Sequence, residues 1–293
     1  MDLGAPVSVA KIGGYLGRSE VFAVDEARGV LKVFHDNAAR KKAREMEALL
    51  LLDGEGLPIP HFLGEGIFSD GEPWILMSHL PGGVMEDRMR EMDAPEVPGL
   101  FAAMGSLLAS VHRLDDAAVS SLPRQLPPRE RYATYRAHVL AGPAGTPGVY
   151  AEAAERMAEL EEMAGDGEPE LFVHGDFGPR NILVEHDGNG WGITGLIDFE
   201  RAHPGDPIED FAMLAFKEFI DQPERRRAFL RAYREVRPLG ENAPERLAYH
   251  LFGLFFEIAK WAYNDDRAYY ERSTLALERL LAGDPAFMLD EEM

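Results

Sequence analysis

Residues 171–200 constrain this chain more than any other stretch: LFVHGDFGPRNILVEHDGNGWGITGLIDFE. An apolar run, Leu171-Phe172-Val173, leads into His174-Gly175-Asp176, and a loop with Gly178 and Pro179 carries the chain to Asn181. A second apolar run, Ile182-Leu183-Val184, is followed by His186-Asp187-Gly188-Asn189-Gly190, whose DG and NG dipeptides predict a hairpin turn. The return strand, Ile193 to Ile197, ends at Asp198-Phe199-Glu200. Three oxygen-bearing side chains, Asp176, Asn181 and Asp198, thus fall at the ends of short buried strands, where a rigid scaffold can aim them at one point.

Such a trio suits phosphoryl transfer. One carboxylate orients and deprotonates an attacking hydroxyl, while an amide oxygen and a second carboxylate hold Mg2+ on the nucleotide phosphates. Protein kinases carry a catalytic Asp, an Asn five positions later and a metal-binding Asp beyond a hairpin; Asp176 and Asn181 are five apart as well. A hairpin whose polar residues only cap turns accounts for HGD alone, but not for the ordered set that ends in IDFE.

Composition narrows the partners. The 293 residues are 46% hydrophobic and 28% charged, enough for a substantial core in one large domain or two smaller ones. No apolar run approaches the ~20 residues of a membrane span, and MDLGAPVSVAKIGG has no basic-then-apolar leader pattern. Cysteine is absent, which excludes disulfides and thiolate metal sites and fits a cytoplasmic protein. The net charge of −21 repels nucleic-acid backbones and anionic membrane surfaces, so neither is an expected partner. It attracts a cationic substrate, although a solvated acidic surface needs no ligand at all.

Residues 7–35 read as strand, Gly-rich turn, strand, turn, strand, a twisted antiparallel sheet. In the turn Gly13-Gly14-Tyr15-Leu16-Gly17-Arg18-Ser19, glycines such as Gly17 let backbone N–H groups approach phosphates, and Ser19 adds a hydroxyl donor. Lys32 stands in the middle of the apolar strand Val30-Leu31-Lys32-Val33-Phe34, on one face with Val30 and Phe34. A charge there needs a partner or a ligand. The following helix, around residues 38–53, offers Glu45 and Glu47; Glu45 shares the apolar face with Leu49 and Leu52 and is the expected partner.

Two further strands, HFLGEGIF and PWILMSHL, precede Pro81-Gly82-Gly83, the best domain boundary in the chain. The expected division is a nucleotide-binding lobe over 1–80 and a catalytic and substrate-binding lobe over 81–293. If PWILMSHL keeps a free edge, backbone groups around Ser78 and His79 can pair with a nucleotide base; a plain interdomain turn fits those residues equally well. Beyond residue 94 the pattern is mostly helical, with His112 expected to be structural. Asp206 reads as a turn cap and Asp210 as a hydrogen-bonding anchor. The span 198–223 has no Ser or Thr, so an activation loop switched by their phosphorylation has no acceptor there. In the aromatic helix over 245–264, Glu257, with Asp265, Asp266 and Glu271 beyond it, offers carboxylates to a cationic ligand, aided by cation–π contact with Trp261 or Tyr263. A core helix with one paired Glu and a charged end is the competing account.

Together GGYLGRS, VLKVF with Glu45, VHGDFGPRN and LIDFE…GDPIED resemble the aminoglycoside phosphotransferase and choline kinase family, in that family's order and from about residue 13 to 211. The resemblance implies an α+β, two-lobed, protein-kinase-like fold: an N-terminal lobe with an antiparallel sheet and one helix, and a larger, mainly helical C-terminal lobe. It implies ATP or GTP with Mg2+. It makes Asp176 the catalytic base, Asn181 and Asp198 the metal ligands, Lys32 with Glu45 the phosphate clamp, and His174 a support for the loop. The hairpin between Asn181 and Asp198 is longer than the family leads one to expect, and no motif in the C-terminal helices names a substrate.

The function expected from these residues is ATP-dependent O-phosphorylation of a small, cationic molecule, foremost an antibiotic of aminoglycoside or basic peptide type, with inactivation as the outcome. A metabolic kinase for choline, ethanolamine, homoserine or a sugar is the rival on the same fold. A nucleotide-binding module without catalysis is a weaker rival, because Lys32, Asp176, Asn181 and Asp198 are all present.

Overall fold

Alternating apolar runs and Gly-containing turns in the first eighty residues build a five-stranded antiparallel sheet. The structure is a computed structural model that describes residues 8–15, 19–24, 28–114, 116–145, 148–164, 170–240 and 242–289. Strands β1 (Val9–Tyr15), β2 (Ser19–Val24), β3 (Gly29–Phe34), β4 (Phe62–Ile67) and β5 (Pro73–Ser78) lie in the order β1-β2-β3-β5-β4. The central strand is therefore β3, and Lys32 is flanked by Val21 on β2 and Ile75 on β5. A lysine at that register cannot reach water past a free strand edge.

One expectation needs correction. PWILMS has no free edge, because β5 pairs with both β3 and β4. The Ser78 N–H donates to the His61 carbonyl at 2.9 Å, and Ser78 Oγ accepts the His61 N–H at 2.8 Å. Ser78 is thus occupied by its own sheet. His79, just past the strand, is exposed. The cause is topological: β4 and β5 form a hairpin that leaves β4 at the rim, and β5's second edge takes β3.

Helix α1 (Ala38–Leu52) lies against β3, β4 and β5. Its buried residues, Arg44, Glu45, Ala48, Leu49 and Leu52, follow the 3.6-residue repeat of one face. A second, smaller sheet joins Gly83–Val84, Ile182–His186 and Trp191–Leu196. Its hairpin turns at 187–190, where Asp187 Oδ1 accepts the Asn189 and Gly190 N–H groups at 2.8 and 3.1 Å. The described residues of Met1–Asp93, Ala117–Pro123 and His174–His203 form one compact unit, so the hairpin and the N-terminal sheet belong to the same packing unit.

The second unit, Ala94–Asp116, Arg124–Val173 and Pro204–Met293 where described, is dominated by helices. Helix Val97–Val111 packs closely on Pro223–Val236; a Cβ on Gly105 would collide with the Phe229 carbonyl, so glycine sets the approach of the two backbones. Helix Ala243–Asp265 is the core element. It buries Leu247, Leu251, Phe255, Phe256 and Ile258, and contacts helices Pro128–Ala141, Gly148–Ala164 and Arg267–Leu281. Burying a side chain of this size contributes ~1.5–3 kcal/mol, so this helix anchors the unit. Among the described residues, no helix is long and apolar enough to cross a membrane.

Candidate active site

Antiparallel pairing of Ile182–His186 with Trp191–Leu196 sets Ile182 opposite Leu196. Asn181 and Asp198, just outside those two strands, therefore emerge at the same end of the hairpin. The Ile197 N–H donates to the Asn181 carbonyl at 3.0 Å and fixes this register. Upstream, Gly175 has φ +75°, and a Cβ there would meet the Arg201 carbonyl at 2.7 Å, so only glycine fits comfortably in the HGD turn. His174 is buried and ties the two ends of the segment together. Its Nδ1 accepts the Asp176 N–H at 3.3 Å, which leaves Nε2 as the protonated nitrogen, donating to the Ile197 carbonyl at 3.1 Å.

Asp176 is 8% exposed. Asn181 Nδ2 donates to its carbonyl at 2.8 Å and to its Oδ2 at 3.3 Å. Arg180, to which the sequence reading gave no role, donates from Nη2 to both carboxylate oxygens of Asp176. Its signal was only the four-residue spacing from Asp176, which is a contact distance in a helix and an uninformative one in a loop.

The buried Lys32 ammonium gathers three carboxylates: Glu45 Oε2 at 2.5 Å, Asp198 Oδ1 at 2.7 Å and Glu200 Oε2 at 3.1 Å. Glu45, rather than Glu47, is the helix partner. Burial alone pulls the Lys32 pKa down, but the charges of Asp198, Glu45 and Glu200 outweigh it and hold the amine protonated far above its ordinary range. Burial pushes the Glu45 carboxyl up, with Lys32 opposing and the Asp198 and Glu200 charges adding to the rise. Asp198 goes the other way: burial raises its pKa, and Lys32 more than reverses this. Asp198 also holds φ +69°, an uncommon conformation for a residue with a side chain. Glu200 was missed as a site residue although it closes the IDFE motif; Lys41 meets its other oxygen at 3.3 Å.

Oxygens of Glu45, Asp198 and Glu200 lie within 4.8 Å of one another. They make an all-oxygen donor set with an excess of negative charge, and Asn181, whose NH2 is spent on Asp176, keeps its amide oxygen for coordination. That chemistry fits a hard divalent cation such as Mg2+. On the Gly-rich hairpin, Ser19 opens β2, partly buried and paired with Tyr15 and Phe34. Gly17 lies outside the described residues.

The four carboxylates proposed for a cationic ligand are not brought together as one set. Asp266 caps helix Arg267–Leu281 by accepting the Tyr269 N–H at 3.0 Å, and Glu271 pairs with Arg267 at 2.9 Å on the surface. Asp265 is exposed. Glu257 is half-buried, near enough to Arg131 and Tyr132 for its charge to act on both.

Behind these lies a buried network. Arg131 donates to the Tyr132 hydroxyl at 3.2 Å; Tyr132 and His250 Nδ1 are 2.9 Å apart, and His250 Nε2 is 3.1 Å from Asp206 Oδ2. Asp206 also accepts from Arg246 Nε at 2.8 Å and closes an Asx turn ahead of helix Glu209–Leu214 through the Ile208 N–H at 2.9 Å. His112, structural as expected, lies between Tyr233 at 2.9 Å and Asp210 at 3.1 Å. Burial opposes the Asp206 charge, but Arg246 and His250 depress its pKa far below the ordinary 3.8. A carboxyl depressed in the folded state contributes stability that is fully present above its unfolded pKa and lost as pH falls toward the folded value. The stability gap between the wild type and Asp206→Asn is therefore expected to be largest above about pH 4 and to narrow below it. Urea melts from pH 3 to 7 would show this; a gap that widens on acidification would refute it.

Comparison with known proteins identifies a family and a fold. A family model described as the phosphotransferase enzyme family matches residues 11–250. Viomycin phosphotransferase of Streptomyces vinaceus is 28% identical over 182 residues, covering 59% of this chain and 60% of its own length. Homoserine kinase of Methylobacillus flagellatus is 28% identical over 318 residues, covering 96% of this chain and 92% of its own. Among solved structures, the ternary complex of aminoglycoside phosphotransferase APH(4)-Ia with AMP-PNP and hygromycin B superposes with a TM-score of 0.72 at 19% identity, covering 96% of both chains. That likeness establishes a kinase-like fold, in keeping with the N-terminal antiparallel sheet and helical C-terminal region. The match over 11–250 takes in Lys32, Glu45, Asp176, Asn181 and Asp198 together, and the chain belongs to the phosphotransferase enzyme family as a small-molecule phosphotransferase.

Proposed function

We propose that this enzyme transfers the γ-phosphoryl group of ATP or GTP to a hydroxyl of a small, cationic molecule. The observation that carries the reading is the convergence of Lys32, Glu45 and Asp198, remote in sequence, within the same compact unit as the Asp176–Asn181 loop. In this reading Asp176 accepts the hydroxyl proton, and Lys32, held by Glu45, grips the nucleotide phosphates. Residues 1–80 supply the nucleotide side, with Ser19, Gly17 and His79 around it, and 81–293 supply catalysis and acceptor binding. Asn181 and Asp198 would hold Mg2+, which when bound offsets charge on the phosphates. The cysteine-free composition suits a cytoplasmic enzyme.

The net charge of −21 and the viomycin phosphotransferase relative support an antibiotic acceptor, of aminoglycoside or basic peptide type, with inactivation as the outcome. A second reading has its own support: the homoserine kinase match runs through 96% of the chain, so a metabolic hydroxy amino acid is the competing acceptor. A coupled assay with MgATP and MgGTP against aminoglycosides, viomycin-type peptides, homoserine, choline and ethanolamine distinguishes them. Turnover with the cationic antibiotics is expected. Turnover confined to homoserine would replace the antibiotic reading, and failure to bind either nucleotide would sink the kinase reading itself.

A further inference from the structure

The Arg180–Asp176 contact has a chemical consequence. A carboxylate offers about four lone-pair sites. The Arg180 guanidinium takes one on each oxygen of Asp176, and Asn181 Nδ2 takes another on Oδ2. Asp176 thus keeps about one site for a further donor, with the Arg180 guanidinium beside it. The backbone enforces the arrangement, since Pro179–Asn181 is a 3-10 turn closed by the Asn181 N–H on the Gly178 carbonyl at 2.9 Å. Exposure is unequal: the Asp176 side chain is 9% accessible and that of Arg180 45%. Arg180 is therefore the solvent-accessible member of the pair, and its side chain is what shields the buried carboxylate it contacts.

Resting on the reading of Asp176 as the base, we infer that Arg180 is a positioning residue that restrains Asp176 against water and yields it to a bound hydroxyl acceptor, so that it sets the choice between transfer and wasteful hydrolysis. In either reaction an oxygen–phosphorus bond forms at the γ-phosphorus as the bond to the β–γ bridging oxygen breaks. The electron pair of the broken bond leaves on the nucleoside diphosphate, and the hydroxyl or water proton passes to Asp176. A water molecule makes too few contacts to compete with the bridging guanidinium nitrogen. An acceptor held by its remaining groups can draw on that binding energy to displace it.

The test needs no acceptor. Hydrolysis of MgATP and MgGTP by the full chain is measured for the wild type, Arg180→Ala, Arg180→Lys, Asp176→Asn and Arg180→Ala with Asp176→Asn, with nucleotide affinity measured by calorimetry. Removing a half-exposed ion pair is worth about fivefold, ~1 kcal/mol. Arg180→Ala is expected to raise acceptor-free hydrolysis by that factor at unchanged nucleotide affinity. Arg180→Lys keeps the charge but not the planar, rigidly held Nη2 that bridges the two oxygens, and should fall between the two. Adding Asp176→Asn should abolish the gain. A merely structural arginine would lower the rate on removal, not raise it. Unchanged or slower hydrolysis in Arg180→Ala with nucleotide still bound would overturn the inference alone, as would a gain that survives Asp176→Asn. Absence of nucleotide binding in the wild type would overturn the kinase reading and the inference together.

Discussion

Replacing Asp176 with asparagine is expected to lower kcat for phosphoryl transfer by ~10²–10⁴, the usual contribution of a positioned general base, while leaving nucleotide affinity close to that of the wild type. The side chain is buried in a loop whose backbone is held independently of its charge, by the His174 and Asn181 hydrogen bonds to its main chain. Asparagine has the same shape and cannot accept the acceptor's proton. The main structural loss is the ion pair with Arg180, whose half-exposed guanidinium can turn to water, so the stability cost should be no more than ~1 kcal/mol. Lys32, the residue proposed to grip the phosphates, contacts Glu45, Asp198 and Glu200 and not Asp176. A split between kcat and affinity is therefore diagnostic. Steady-state rates and calorimetric nucleotide binding would check it, and wild-type turnover in the variant would remove Asp176 from the base role.

What could be read in the sequence depended on the range of the interaction concerned. Lys32 stood out because one charge in the middle of VLKVF violates the local pattern, and Glu45 was separable from Glu47 because helical periodicity is a local rule. The hairpin that sets Asn181 near Asp198 was legible from DG and NG alone. Ser78 was misread because its role turned on strand order. Whether β5 keeps an edge depends on where β4 and β3 pair, a long-range choice that the six residues PWILMS do not encode. Arg180 and Glu200 were overlooked for a related reason. Each sits in an irregular segment where no period says which way the side chain points, so motif spacing identified their neighbours and passed over them. Asp266 and Glu271 show the converse difficulty: the sequence does not reveal that these exposed carboxylates serve a helix cap and a surface ion pair.

Lys32→Met should destabilise the protein by ~3–5 kcal/mol, because it leaves buried Glu45 facing Asp198 and Glu200 with the central cation gone. At ~2–4 °C per kcal/mol for a chain of roughly this size, the melting temperature should fall by about 10 °C. The pH dependence has a definite sign. Without Lys32, burial and the neighbouring carboxylates all raise the Glu45 pKa. A carboxyl raised in the folded state contributes stability that is present below its unfolded pKa and lost as pH rises through the folded value. The variant should therefore be most impaired at alkaline pH and recover toward pH 5. Adding Glu45→Gln removes one stranded charge and should restore much of the lost stability, a coupling that a double-mutant cycle measures directly. Activity should not return with it, because a glutamine–methionine pair packs but cannot grip phosphate. A double variant that regains both stability and turnover would mean that Lys32 serves only to neutralise its carboxylates. Recovery of stability without turnover would separate the two duties of this buried pair, one to the fold and one to the nucleotide.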